Sequence, residues 1–307
     1  MLPFTLQQLR ILKAVATEKN FTKAAEGLYL SQPSLSKQIK RLEKNLGILL
    51  INRENKKVSL TEKGKIFLDY SERILALCEE SCRILMDFKS VERGNLKVGA
   101  SQTIGTYLLP RVLSLFAQNY PQMSLNFQVN STQIIAKSVS NREIDLAVVG
   151  GEIPNKLKKH LSLKHFVEDE FNLIVPKSHP FAFKKQITEK ELYNLNFITL
   201  NSNSPIRKFI DNILSKNQIE IKKLKIIMEL NSIEGIKTAV SLGLGAAFLS
   251  SSAIEKEIRL KKIEKVNIEN IRITRNLSII SNPESYKPRA FQFFYKELLE
   301  LKNAIQN

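Results

Sequence analysis

Tryptophan is absent from this 307-residue chain, and only two cysteines and three histidines occur in it. Cys78 and Cys82 stand four apart, so neither a disulfide framework nor a zinc cluster can be assembled from them. That scarcity fits a reducing compartment. His160, His165 and His179 are scattered, and His179 precedes a proline. They make neither a catalytic triad nor a metal set with the cysteines. Glycine is thin, and Gly243 and Gly245 follow a helical pattern, without the third glycine of a dinucleotide-binding turn. An enzyme is therefore not expected, nor a metal or cofactor. No run of about 18 apolar residues occurs, so a membrane span is not expected. The opening MLPFTLQQLR lacks the basic flank and apolar stretch of a secretory signal, and helical patterning begins almost at once.

Basic charge is what the chain has in excess. Lysine and arginine number 47 against 30 acidic residues, a net +17. Lysine supplies most of it, and isoleucine and asparagine are abundant, a bias that an AT-rich genome also produces. Distribution separates the two explanations. Residues 1–65 hold 13 basic and 5 acidic residues, a far denser surplus than in the remainder. An anionic partner at the N-terminal end, nucleic acid above all, is the reading that follows.

The first segment reads as three short helices. Leu6, Leu9, Leu12 and Val15 recur at helical spacing, with Thr5 and Gln8 placed as a capping box. Thr22 is placed to cap a second helix, KAAEGL. Ser31 caps the third, which has Pro33 in its first turn and stops at Gly47. Residues 48–60 read as a hairpin with a polar tip, RENKK. From Thr61 to about Val91 a long helix is expected. Its stripe Ile66, Tyr70, Ile74, Leu77, Ile84 and Phe88 asks for a partner, and a second copy of the chain is the economical one. Past the polar break at 92–95 strands and helices alternate: LKVGAS, a helix to Pro121, SLNFQVNS, a helix, LAVVGG. That order predicts a parallel sheet. A second such unit follows, and the chain closes with LSIIS and a C-terminal helix. The expected class is α/β overall, with an all-α winged helix-turn-helix in front.

A tight turn before the third helix and a basic hairpin after it suit duplex DNA. An α-helix fits the major groove, and its first turns face base edges. Gln32, Ser34, Ser36, Lys37 and Gln38 offer hydrogen bonds there, while Lys40 and Arg41 can meet phosphates. Leu35, Ile39, Leu42 and Leu46 fill the inward face. Thr22, Ser31 and Pro33 complete the DNA-facing set, and Arg53, Lys56 and Lys57 at the hairpin tip can reach the minor groove or phosphates. The competing reading of each is a solvated surface charge.

The stretch from Phe21 to Lys65 resembles the N-terminal signature of LysR-type transcriptional regulators. The match runs through Ala24, Ala25, Leu28, Ser31, Gln32, Pro33, Ser36, Gln38, Ile39, Leu42, Glu43, Leu46, Gly47, Arg53, Lys56, Val58, Leu60, Thr61 and Gly64. Leu50 and Ile51 stand where Leu-Phe is usual, and Lys56 where arginine is commoner. The resemblance extends over essentially the whole chain in length and element order. It implies a DNA-binding domain at 1–60, a linker dimerisation helix at 61–91 and an effector domain at 95–304. The last resembles periplasmic binding proteins, with one lobe from 95–165 and 269–304 and the other from 166–268.

The resemblance also implies a sequence-specific regulator that forms a dimer or tetramer, meets RNA polymerase and answers to a small anionic metabolite. Cleft positions would be Ser101, Gln102 and Thr103, then Asn130, Ser131 and Thr132, with Asn201, Ser202 and Gly245 from the second lobe. Strand ends and helix N-termini favour such a site independently. Arg207 could pair with a carboxylate or phosphate. Ordinary helix capping is the other reading of each residue. MLPFTLQQLRILKAV, YLSQPSLSKQIKRLE and GNLKVGASQTIGTYLLP resemble the subgroup that controls Rubisco operons in bacteria and red-lineage plastids. That resemblance implies a chloroplast stroma or a bacterial cytoplasm, and a sugar phosphate or nicotinamide dinucleotide as effector. A LysR-type regulator of another operon and a sequence-blind architectural DNA binder are the alternatives.

Overall fold

The computed structural model describes residues 2–52, 58–89, 94–184 and 186–306. Two compact units emerge, Met1–Val91 with Asn141–Glu143, and Glu92–Ser140 with Ile144–Asn307.

In the first unit, α1 (Leu6–Glu18) starts at the expected capping box. The Thr5 hydroxyl accepts from the Gln8 N–H at 3.2 Å, and the Gln8 amide oxygen accepts from the Thr5 N–H at 3.0 Å. Helix α2 (Phe21–Gly27) is capped by Asn20, not by Thr22. The Asn20 carboxamide oxygen accepts from both Thr22 N–H and Lys23 N–H, at 2.8 and 3.1 Å, so Thr22 already lies in the first turn. Helix α3 (Gln32–Leu46) runs from the Ser31 cap to Gly47, where φ is +67° and glycine avoids the Cβ clash. Leu35, Ile39 and Leu42 bury against Ile11, Leu12, Val15, Ala24 and Ala25.

The wing is the antiparallel pair β1 (Ile51–Asn52) and β2 (Ser59–Leu60). It is tied to α3 by buried Glu43, whose Oε1 accepts from the Leu50 and Ile51 N–H groups at 2.9 and 3.1 Å. The long helix α4 (Glu62–Lys89) is capped by the Thr61 hydroxyl, which accepts from the Gly64 N–H at 2.9 Å. A Cβ on Gly64 would lie 2.0 Å from the Leu50 carbonyl oxygen, so α4 starts hard against the wing. Ile66, Tyr70 and Leu77 of the α4 stripe are exposed, and Ile74 and Ile84 are half-buried. The Phe88 side chain lies outside the described residues.

The second unit starts with β3 (Asn95–Ser101), a π-helical turn (Ile104–Leu108) and α5 (Leu109–Asn119). Then come β4 (Ser124–Asn130), α6 (Thr132–Ser140), β5 (Leu146–Val149) and the short α7 (Asn155–Lys158). Strand β3 pairs in parallel with β4 and β5, as the alternating pattern predicts. Strand β6 (Ser162–Pro176) is one continuous run. It is followed by β7 (Gln186–Ile187), α8 (Glu189–Leu192), β8 (Asn196–Leu200) and α9 (Pro205–Lys216). The chain continues through β9 (Lys225–Leu230), α10 (Ile233–Ser241), β10 (Ala247–Ser250), α11 (Ser251–Arg259), β11 (Ile263–Ile268), β12 (Ile273–Ser281) and α12 (Arg289–Gln306).

Each lobe covers its strands on both faces. In the first, Phe116 of α5 and Phe294 of α12 pack with Val98 and Val148, while Ile135 and Val139 of α6 cover Ala147 and Val149. In the second, Ile210 and Leu214 of α9 meet Phe197 and Val175, and Ile236 and Val240 of α10 meet Ile174 and Ile198. Strands β6 and β12 pair antiparallel and carry the chain between the lobes. Their opposed residues Asp169 and Arg275 form a buried ion pair at 2.8 Å. The Ser250 hydroxyl donates to the other Asp169 oxygen, and Arg275 lies over the Phe171 ring.

Glu43 generates a stability prediction. Glu43→Ala leaves two buried N–H groups without their acceptor and should destabilise the first unit by about 2–3 kcal/mol. Urea unfolding of the full chain, followed by circular dichroism, checks this; an unchanged midpoint would show that the wing holds without the tie.

Candidate nucleic-acid interface and ligand cleft

The leading turn of α3 presents Gln32, Pro33, Ser34 and Lys37 to solvent, with Lys40 and Arg41 exposed one turn on. The Ser31 hydroxyl accepts from the Ser34 N–H at 3.3 Å. Ser36 and Gln38 are half-buried, and the Gln38 amide oxygen accepts from Gln8 at 3.3 Å. Gln38 thus helps pack α1 on α3 as well as standing beside the polar face. Thr22 is exposed on α2. The wing-tip residues Arg53, Lys56 and Lys57 lie outside the described residues.

In the second unit, the carboxyl ends of β8 and β9, the turn after β3, and the N-termini of α9 and α10 enclose a cleft of about 590 Å³. Gln102, Thr106 and Tyr107 line it from the first lobe, and Asn201, Ser204, Asn231, Ser232 and Glu234 from the second. Ser101 and Thr103 flank Gln102. They are 8% and 3% exposed, and neither hydroxyl has a hydrogen-bond partner among the described residues. Ser204, the cap residue of α9, makes no side-chain capping bond, so its hydroxyl is available. Neutral donors and helix N-termini therefore dominate the cleft, and Glu234 is the one charged residue lining it among the described residues.

Tyr107 and Glu234 meet across the cleft. The Tyr107 hydroxyl donates to Glu234 at 2.8 Å, and the Lys237 ammonium lies 4.9 Å from the Tyr107 ring centre. Burial, reinforced by the Glu234 carboxylate, pushes the Tyr107 hydroxyl above the usual phenol range. Lys237 in turn holds the Glu234 carboxyl below the usual carboxylate range, with help from the Tyr107 hydroxyl.

Of the expected cleft positions Gln102 and Asn201 are lining residues, whereas Ser101 and Thr103 are not. The second-strand trio does not line the cleft: Asn130 accepts from the Ser131 N–H at 2.9 Å, and Ser131 caps α6 through the Ile134 N–H at 3.4 Å. Thr132 packs beside Gly151. Ser202 is exposed outside the lining. Gly245 serves packing, since a Cβ there would sit 2.5 Å from the Asn196 carbonyl oxygen. Arg207 does not face a ligand as its place after Ser204 and Pro205 suggests. Its guanidinium is buried within the second lobe, donates to Asp211 at 2.7 Å and to Thr199, and does not line the cleft. The i, i+4 spacing to Asp211 was the overlooked signal. Thr106, Tyr107 and Asn231 to Glu234 are lining residues that sequence reasoning missed. Asn231 directly follows β9, and the rule that ligands sit past strand ends applies to it as well.

Residues 6–65 match the family described as bacterial regulatory helix-turn-helix protein, lysR family, and residues 89–302 match the LysR substrate binding domain. A probable RuBisCO transcriptional regulator of Phaeodactylum tricornutum (strain CCAP 1055/1) is 77% identical over 307 residues, covering 100% of both chains. A full-length OxyR of Pseudomonas aeruginosa, solved as a cysteine-to-aspartate variant, is 26% identical with a TM-score of 0.71, over 96% of this chain and 94% of that one. The regulatory domain of Synechocystis PCC6803 CcmR, solved in complex with 2-PG, is 25% identical with a TM-score of 0.59, over 68% of this chain and 97% of that one.

Proposed function

This chain belongs to the LysR family of transcriptional regulators, and from that premise we propose that it reads a specific duplex site controlling Rubisco genes, as a self-associating protein tuned by a small anion. The observation that carries the reading is α3. Its capped start presents hydrogen-bonding side chains, its rear face is apolar, and Lys40 and Arg41 stand ready for phosphates. Gln32, Ser34, Ser36, Lys37 and Gln38 supply base contacts, and Thr22, Ser31 and Pro33 set the approach. Arg53, Lys56 and Lys57 supply wing contacts. The Rubisco target is supported by the 77% identical relative and by the subgroup resemblance. A plastid stroma is the compartment, supported by the source of that relative and by the lysine- and isoleucine-rich composition. RNA polymerase is the expected partner at the promoter.

Band-shift measurements on the Rubisco promoter test this directly. Affinity should fall steeply with salt, as counterion release requires. Gln32→Ala should cost about 1–3 kcal/mol and relax discrimination at one base position, whereas Lys40→Ala should weaken all duplexes alike. Equal affinity for the promoter and for a scrambled duplex would overturn the reading.

Self-association is assigned to α4, whose Ile66, Tyr70 and Leu77 stand 62%, 56% and 52% exposed. Apolar side chains so exposed along a long helix ask for a second copy. Ile66→Ser with Leu77→Ser should shift the protein toward monomer in sedimentation at micromolar concentration, and a wild-type monomer would remove the basis of this assignment.

The effector is assigned to the cleft. The Ser101 and Thr103 hydroxyls, buried beside the lining residue Gln102 and without partners among the described residues, the Ser204 hydroxyl and the α9 and α10 N-termini support an anion there. Gln102 and Asn201 are the further contacts. Titration with 2-PG checks the assignment, with Thr103→Val expected to weaken binding by about tenfold. Unchanged affinity in that variant would misplace the site.

A further inference from the structure

A second cavity, of about 700 Å³, opens in the second lobe one helical turn along α10 from the cleft. Its size is that of an ordinary small-molecule site. Lys177, Lys237, Lys256, Lys261 and Lys262 line it against a single carboxylate, Glu257. Lys177 is paired with Glu264. Lys256, Lys261 and Lys262 are exposed and form no salt bridge among the described residues. Lys256 also feels the Glu234 carboxylate, yet five ammonium groups against Glu234, Glu257 and Glu264 leave positive charge in excess around the concavity, and an anion relieves it. One Glu257 oxygen is buried with no donor among the described residues, an acceptor that a ligand hydroxyl or a protonated phosphate would satisfy. Leu242 and Leu260 add an exposed apolar rim, which suits an organic rather than a bare anion.

Lys237 belongs to both cavities in effect. It is 4% exposed, and its ammonium lies 2.8 Å from Glu234 of the cleft and 3.2 Å from Glu257. The same ammonium faces the Tyr107 ring. Tyr107 comes from the first lobe and Glu234 from the second, so this group joins the lobes across the cleft mouth.

We propose that the lysine-lined cavity is a second anion site, for a small phosphate ester, and that Lys237 couples its occupancy to the bond between Tyr107 and Glu234. A bound phosphate offers Lys237 a further acceptor. The ammonium shifts toward it, and its hold on Glu234 and on the Tyr107 ring weakens. The two sites then share a coupling free energy, and each ligand alters the affinity for the other. The site stands independently of whether the cleft takes the effector.

Inorganic pyrophosphate is the probe, titrated calorimetrically into the full-length protein at fixed ionic strength. Lys256→Ala with Lys261→Ala should weaken binding by about tenfold. Lys216→Ala with Lys222→Ala removes equal charge from exposed positions of the same lobe and should change it by less than about threefold. Because the chain lacks tryptophan, tyrosine dominates its near-ultraviolet absorption. Pyrophosphate should produce a tyrosine difference spectrum that Tyr107→Phe abolishes. No binding at millimolar pyrophosphate, or equal weakening by both lysine pairs, overturns the site. A missing difference spectrum at saturation, or one that survives Tyr107→Phe, overturns the coupling.

Discussion

The two-lobed unit depends on the place where β6 and β12 cross together from one lobe to the other. Asp169 and Arg275 face each other there, buried, and Ser250 completes the carboxylate's hydrogen bonds. A buried ion pair adds little net stability against an apolar replacement, but leaving either charge alone is heavily unfavourable. The pair therefore fixes register more than it adds strength. A slip of one residue between the strands would separate two opposite charges inside the protein. Since β8, β9 and β10 hang from one end of the crossing and β3, β4 and β5 from the other, that register decides which side chains confront each other across the cleft.

The face of α3 and the cleft differ in their electrostatics. The face of α3 is a display of exposed cations and amides, suited to a polyanion that remains wet. The cleft is built from hydroxyls, carboxamides and helix ends, with Glu234 its single charged lining residue among those described. A cleft of neutral donors can hold an anion without filling the second lobe with unpaired cations, and it rejects misplaced charge at the Glu234 end. Net charge alone does not foretell this division, because the basic surplus lies mainly outside the cleft.

What could be read from the sequence was local. The ends of α3 were legible because Ser31, Pro33 and Gly47 act within one turn of themselves. The parallel order of β3, β4 and β5 followed from alternation alone. The cap of α2 was misread because Asn20 and Thr22 are both good caps, and only geometry shows that the carboxamide of Asn20 reaches two N–H groups. Helix α11 and strand β11 escaped because residues 251–268 mix helical and alternating apolar spacing amid lysines and glutamates. Arg207 illustrates another limit: a buried arginine that answers a neighbouring aspartate looks, in one dimension, like one that awaits a ligand. Tyr107 and Glu234 lie 127 positions apart, and no local pattern joins them.

Glu43 and Gly64 together remove the slack between three elements. Glu43 fastens the wing to α3, and Gly64 lets α4 abut the Leu50 carbonyl with no side chain between. A roll of α4 is therefore passed to the wing strands through the Gly64–Leu50 contact and from them to α3 through Glu43. A few degrees of roll in α4 would carry strands β1 and β2 and helix α3 in step, so contacts made from either are gained or lost together rather than one after the other.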